Sequence, residues 1–223
     1  MSRIKSSRRS FLIKSAAGLA AAASLGGVGL VLYKDQTWVA SEPYQREGDE
    51  PARTAVIAYS RSGNTLLAAK TLARLQAADL FRIEAPEYPQ SISGQMKASD
   101  DASAVKETAL IQHPPIDLDR YDRVILSTPV WWYRPAVPMW SFVNRHSFTQ
   151  QEVYLLMTGN SGYQAPFIEA FAERVRDRNG RFVDFHFIER GRVLWQLSPD
   201  ELREEVRRLA AAHPGFGGLK TTS

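Results

Sequence analysis

The fold of this chain is decided by one stretch, AVIAYSRSGNT, which spans residues 55–65. Its first five residues are an uninterrupted apolar run, which predicts a short strand buried on both faces of a sheet. Ala68, Leu72 and Leu75 follow at helical spacing and predict a helix with one apolar face. A buried strand, a polar loop and a helix in this order are typical of parallel α/β proteins.

The same alternation continues toward the end of the chain. Because polar residues interrupt the apolar pattern of 80–84 and 182–188, we place these two strands at the edges of the sheet. This predicts a three-layer α/β fold with a five-stranded parallel sheet in the order 2-1-3-4-5. The other strands are predicted at 124–126 and 153–157, and further helices around 102–111, 139–143 and 167–175 and from Ser198, where a capping box begins.

Charge is distributed unevenly along the 223 residues. Residues 1–33 contain five basic residues and no acid, so the remaining chain has 23 basic and 24 acidic residues. The basic character therefore belongs to the N-terminal segment, and bulk charge does not support a nucleic-acid partner. The chain has no cysteine, which excludes disulfides and thiolate chemistry, and its four histidines show no metal-ligand spacing.

The N-terminal segment resembles a twin-arginine export signal. The stretch SRRSFLIK at 7–14 precedes the uncharged run Ser15–Tyr33. The resemblance implies export of a folded protein, either free in the periplasm or anchored on the outer side of the cytoplasmic membrane. A Sec signal or an N-terminal anchor with two incidental arginines is the alternative. The predicted organisation is a signal or anchor at 1–33, a linker at 34–52, the α/β domain at 53–214 and a flexible tail at 215–223.

The first loop, residues 60–65, follows the first strand and opens its helix. Gly63 allows close backbone approach, and the hydroxyl and amide side chains around it are hydrogen-bond donors. With the N–H groups of a helix start, they predict a phosphate site that needs no lysine. Plain helix capping is the alternative interpretation.

Two further segments follow the third and fourth predicted strands. The aromatic segment, residues 129–133, contains Trp131, Trp132 and Tyr133, which predicts a wall for a planar ring. The third loop, residues 158–162, has two glycines and small polar residues suited to backbone contact with the polar edge of a ring. Packing of the tryptophans under helices and an ordinary turn are the alternatives. Parallel strands bring these segments to one end of the sheet.

Together the three segments, with Tyr121 and Asp122 before the third strand, resemble the flavodoxin-like FMN-binding family over Thr54–Ala211. The resemblance implies one FMN, with its phosphate on the first loop and its isoalloxazine between the other two segments. The cofactor-binding residues it implies are Ser60, Arg61, Ser62, Gly63, Asn64 and Thr65, then Pro129, Val130, Trp131, Trp132 and Tyr133, then Thr158, Gly159, Asn160, Ser161 and Gly162.

The functional hypothesis is an exported FMN-binding protein of electron transfer or oxidoreduction. Its partner would be a redox protein or a quinone-like acceptor, and the N-terminal segment could add membrane association. No catalytic residue is assigned; Tyr133, where similar proteins often have glycine, is the candidate for substrate contact, and Arg134 is expected near the flavin ring. The alternatives are a flavin-free binding module for a phosphorylated ligand or protein, and a hydrolase that uses Ser62.

Overall fold

The computed structural model describes residues 39–191 and 195–217. Within them, strands and helices alternate as the hydrophobic pattern predicts. The strands are β1 (Thr54–Tyr59), β2 (Asp79–Ile83), β3 (Arg123–Trp131), β4 (Arg134–Pro135), β5 (Glu152–Gly159) and β6 (Arg181–Glu189). The helices are α1 (Asn64–Leu75), α2 (Ile92–Ser103), α3 (Val137–Arg145), α4 (Ala165–Asp177) and α5 (Pro199–Ala212), with a short 3₁₀ turn at Leu118–Arg120.

Five of these strands form a parallel sheet in the order β2-β1-β3-β5-β6. This is the predicted order 2-1-3-4-5, because the two-residue β4 pairs only with β3, in antiparallel fashion. β2 and β6 lie at the edges, as their polar residues indicated. The three-layer α/β fold is therefore confirmed.

Helices cover both faces of the sheet, so β1 is buried along its whole length. Ala55, Ile57 and Tyr59 pack into a core that includes residues of α3 and α4. Val56 and Ala58 point the other way and pack into a second core with residues of α1 and α5. A strand between two apolar layers has no polar face, which explains the unbroken apolar run.

Two helix ends follow the local signals in the sequence. α5 begins with a capping box in which the Ser198 side chain accepts from the Glu201 N–H and Glu201 accepts from the Ser198 N–H. α4 ends at Asp177, and Asn179 just beyond it turns the chain with a left-handed φ of 63°. The next residue must be small, since a Cβ on Gly180 would lie 2.6 Å from Val175.

The helix predicted around 102–111 is wrong in position. α2 runs from Ile92 to Ser103, and the side chain of Ser91 caps it by accepting from the Gly94 N–H at 3.1 Å. It ends before Val105, which has a left-handed φ of 57°. Ala109 and Ile111 beyond it are buried in an extended segment, where the Ala109 N–H donates to Ser141 on α3. Burial of every second residue there is typical of extended backbone, so the helix does not reach this segment.

Parts of the predicted linker and tail contact the α/β domain. Phe216 is fully buried in the second core, and its carbonyl accepts from Gln76, so residues 215–217 belong to the domain. From Val39, the predicted linker contacts the domain, and Tyr44 packs against the second core. The twin-arginine stretch and the run Ser15–Tyr33 lie outside the described residues. No helix in the described ranges is long and apolar enough to cross a membrane.

Asp101 holds α2 and the segments around it together. Its nearly buried carboxylate accepts from Tyr88 at 3.0 Å, from Lys97 at 2.9 Å and from Lys106 at 2.6 Å. Burial works to raise the pKa of Asp101, but these hydrogen bonds prevail and lower it to about 2. The ionised carboxylate therefore contributes to stability wherever its unfolded form would also be ionised.

We predict that Asp101→Asn lowers the free energy of unfolding by about 1 to 2 kcal/mol at pH 7, because three hydrogen bonds lose their charged acceptor. The folded-state pKa lies below the ordinary value of 3.8. The difference from wild type should therefore be full above a pH of about 4 and fade as the pH falls toward 2. Urea unfolding at several pH values measures it, with the exposed neighbour Asp100→Asn as control. A pH-independent difference would contradict this account.

Candidate functional site

The first loop makes a tight turn between β1 and α1. Gly63 has a left-handed φ of 90°, which side chains disfavour. Inside the loop, the Gly63 N–H donates to Ser60 Oγ at 3.0 Å, and the Asn64 amide donates to Ser62 Oγ at 3.0 Å. Hydrogen bonds to the hydroxyl groups of Ser60 and Ser62 thus hold the loop together. They place the start of α1 at the carboxyl end of the sheet.

The start of α1 has donors without acceptors. No side chain caps the helix, its first turn contains no acid, and its first backbone hydrogen bond joins Leu67 N–H to Gly63 at 2.9 Å. In the described part of the chain, the N–H groups of Asn64, Thr65 and Leu66 have no acceptor, although all three residues are buried. Buried unpaired donors at the positive end of a helix are suited to an anion.

The end of β5 lies directly against this helix start. A buried hydrogen bond of 2.8 Å joins Thr65 Oγ1 and Thr158 Oγ1, so the first and third loops meet as predicted. Gly159 fits closely at the same level, since a Cβ there would lie 3.1 Å from Val130 and Phe187. Within the third loop, Asn160 accepts from the buried Arg190 at 2.9 Å, while Ser161 and Gly162 are only partly covered or exposed.

The aromatic segment is a β-hairpin rather than an open loop. β3 continues through Pro129 and Val130 to Trp131, which pairs with Arg134 of β4. Only Trp132 and Tyr133 lie between the paired residues, and both are left-handed, with φ of 47° and 65°. Positive φ at both central residues is the type I′ turn, which normally holds Asn and Gly.

The three aromatic residues have different environments. Trp131 is partly buried and makes edge-to-face contacts with Tyr59 and Tyr88, with ring centroids 5.5 Å and 5.1 Å apart. Trp132 and Tyr133 remain 54% and 42% exposed, although the Trp132 indole donates to Ser99 on α2 at 2.6 Å. Packing beneath neighbouring elements thus accounts for Trp131, whereas the exposed pair is available to a ligand.

Arg134 is turned away from the exposed tip. Its side chain is 1% exposed and its guanidinium lies over the rings of Trp140 and Phe167, at 4.8 Å and 5.6 Å from their centroids. Nε and Nη1 have no hydrogen-bond partner among the described residues, and burial lowers the pKa of the group. Arg134 therefore connects the hairpin to α3 and α4. Its place in the sequence did not predict this role.

Other residues of the site carried no signal in the sequence. Tyr88 and Ser99, which support the tryptophans, lie in the segment whose helix was predicted in the wrong place. Gln90 donates to the Arg61 carbonyl at 2.8 Å and so contacts the first loop from the same segment. Burial lowers the pKa of Arg61, which is partly covered beside Tyr59. None of the three predicted segments contains an acid that would repel a negatively charged ligand.

This geometry defines a class, the parallel α/β proteins that bind an anionic ligand at the carboxyl ends of their strands. The family model for flavodoxin matches residues 53–166, which is just over half of the chain. The chain belongs to the flavodoxin family. This membership supports FMN as its cofactor, and the unpaired donors of α1 fit the phosphate of that group.

Solved structures agree with the fold. A Lactobacillus acidophilus flavoprotein, solved in complex with FMN, is 20% identical with a TM-score of 0.53, over 61% of this chain and 93% of that one. A Bacteroides eggerthii protein is 18% identical with a TM-score of 0.54, over 71% and 98% of the two chains. A Bacteroides uniformis protein is 16% identical with a TM-score of 0.55, over 71% and 99%. Comparison with curated proteins gives no match.

The turn of the aromatic hairpin supplies a prediction about strain. A left-handed residue other than glycine costs about 1 kcal/mol or more, and Tyr133 has such a backbone. Replacing Tyr133 by Gly should therefore give a free energy of unfolding about 1 kcal/mol higher than replacing it by Ala. Both variants lack the ring, so only the backbone differs. Chemical denaturation of the two variants without ligand measures the difference, and equal stabilities would contradict a left-handed Tyr133.

Proposed function

We propose that the protein is an exported, FMN-dependent electron-transfer flavoprotein. One observation carries the proposal: at the carboxyl end of the sheet, the structure has a buried helix start and an exposed aromatic hairpin, and the first three N–H groups of that helix have no acceptor among the described residues. The first feature suits a phosphate and the second a planar ring, and FMN joins both groups in one molecule. The family membership and the FMN complex of the Lactobacillus acidophilus relative support the same cofactor.

The chain's own residues would divide the binding between them. The N–H groups of Asn64, Thr65 and Leu66 would donate to the phosphate, with the hydroxyl groups of the first loop around it. The hairpin tip, with Trp132 and Tyr133, would cover the ring, and the backbone of the third loop would meet its polar edge. Trp131 would support the hairpin tip, since its contacts with Tyr59 and Tyr88 hold it in place.

FMN when bound supplies the redox chemistry, because it exchanges one or two electrons with its partners. The protein then needs to position the cofactor and limit its contact with water, and it needs no general acid or base. The exposed faces of Trp132 and Tyr133 would meet the partner, which we propose to be a redox protein or a quinone-like acceptor. Tyr133 is the residue proposed for contact with that partner or substrate.

Export is proposed from the twin-arginine stretch at 7–14. Such signals carry folded proteins, so FMN would be bound before export. Outside the cytoplasm NAD(P)H is not expected, which favours a membrane or protein electron donor. Replacement of both Arg8 and Arg9 by Lys should leave the protein in the cytoplasmic fraction. Its appearance in the periplasmic fraction would contradict this route.

The test of the cofactor begins with colour and affinity. The purified protein should be yellow, with absorbance near ~450 nm from a flavin, and should release FMN that mass spectrometry identifies. After removal of the flavin, the apoprotein should bind FMN more tightly than riboflavin, because only FMN carries the phosphate. A colourless protein that takes up neither flavin would favour the alternative of a flavin-free binding module.

Thr65→Val should weaken FMN binding about tenfold or more, because it removes a hydroxyl that could donate to the phosphate while it accepts from Thr158. Riboflavin binding should change little. Thr71→Val is the matched control: Thr71 lies on the same helix, and its hydroxyl donates to the Leu67 carbonyl at 2.9 Å. Quenching of flavin fluorescence measures each Kd. Equal losses for FMN and riboflavin would contradict phosphate recognition by the first loop.

A further inference from the structure

A short segment, Val39–Arg46, lies against α1 and the first loop; we call it the strap. It belongs to no strand or helix. It also precedes residues 53–166, so the family match does not account for it. Its hydrogen bonds and its ion pair reach the first loop, α1, and the chain at Ala78 and Asp79 where β2 begins.

The middle of the strap is held by one buried cation. Lys70, on α1, is 7% exposed. Its ammonium donates to the Ser41 carbonyl at 3.2 Å, to Ser41 Oγ at 2.8 Å and to the Glu42 carbonyl at 2.6 Å. An ammonium has three N–H donors, and all three are therefore used on the strap. Lys70 therefore attaches the strap to α1 and is not a solvent-exposed charge.

The C-terminal end of the strap is attached beyond the helix. The Tyr44 hydroxyl donates to the Ala78 carbonyl at 2.5 Å, and its ring packs against the second core. Arg46 forms an ion pair of 3.1 Å with Asp79, the first residue of β2. The strap thus runs along α1 with fixed points at both ends of the helix.

The N-terminal end of the strap contacts the first loop on its acceptor side. The Val39 N–H donates to the Ser62 carbonyl at 3.0 Å. The Val39 carbonyl lies so close to Gly63 that a Cβ there would be 2.0 Å from its oxygen. The strap uses a carbonyl of the loop and none of the N–H groups of Asn64, Thr65 and Leu66. It restrains the loop and leaves those donors to a phosphate.

We propose that the strap is a clamp that preorganises the first loop for phosphate, with Lys70 as the positioning residue that holds it. The inference rests on the proposed FMN site and adds a determinant of its affinity. A loop held in its binding conformation loses less conformational entropy when the ligand binds. By linkage, bound FMN must then stabilise the strap by the same factor.

The test uses the full chain with Lys70→Met, which keeps an unbranched apolar stem and removes the ammonium. FMN affinity should fall at least about fivefold, the lower end of typical coupling between sites. Riboflavin affinity should stay within twofold of wild type in this comparison, because the clamp acts on the phosphate loop alone. Arg176→Met is the matched control: it also removes one cation, and Arg176 pairs with Glu169 on α4, outside the proposed site.

Amide hydrogen exchange of residues 39–46 gives a second readout that does not depend on the variant's affinity. FMN should slow exchange in the strap of the wild type, and Lys70→Met should speed it without ligand. Tyr44→Phe removes only one hydroxyl and should also lower FMN affinity and speed amide exchange in the strap. It keeps the test valid if Lys70→Met does not fold.

The outcomes separate the clamp from the cofactor assignment. If the wild type binds FMN and the strap variants bind it equally well, the clamp is overturned and the FMN site stands. An equal loss of affinity for FMN and riboflavin would also overturn the clamp, since general destabilisation of the protein would affect both ligands. If the wild type binds neither flavin, the proposed function and the clamp both fall.

Discussion

The structure depends on one constraint: α1 begins inside the protein with backbone donors that nothing in the described chain accepts. A donor that is buried without an acceptor costs about 1 to 3 kcal/mol, so such a helix start is suited to a ligand that accepts from it. Gly63 turns the chain through a left-handed conformation, and Thr65 bonds to Thr158 across the end of the sheet. An anion with several acceptor oxygens would offset the cost, which is why the phosphate of FMN is the ligand this arrangement favours.

The aromatic hairpin is a second place where the site has features that do not favour stability. Trp132 and Tyr133 adopt backbone angles that suit Asn and Gly, and they are exposed. Stability alone would select against both features. Trp131 beneath them is fixed by Tyr59 and Tyr88, and Tyr88 in turn is fixed by Asp101. Two exposed rings on a strained backbone thus lie above a set of side chains that contact one another. A surface that binds a cofactor or a partner needs such support.

Residue patterns predicted the sheet order and the meeting of the first and third loops, because apolar runs and strand ends are local signals. The position of α2 was not predicted: the predicted helix included Ala109 and Ile111, which are buried in an extended segment. The aromatic segment was predicted to follow the third strand, yet β3 continues through Pro129 to Trp131. The burial of Arg134 and the attachment of Val39 to the first loop depend on contacts between distant residues. No periodicity in a single sequence contains such contacts.

The most direct measurement is the ¹H–¹⁵N spectrum of the apoprotein titrated with FMN and, separately, with riboflavin. Hydrogen bonds from the N–H groups of Asn64, Thr65 and Leu66 to a charged acceptor predict large downfield proton shifts with FMN. Riboflavin, which has no phosphate, should leave these three resonances nearly unchanged while it shifts those of the aromatic hairpin. Resonances of the helix start that do not move when FMN binds would contradict the central claim.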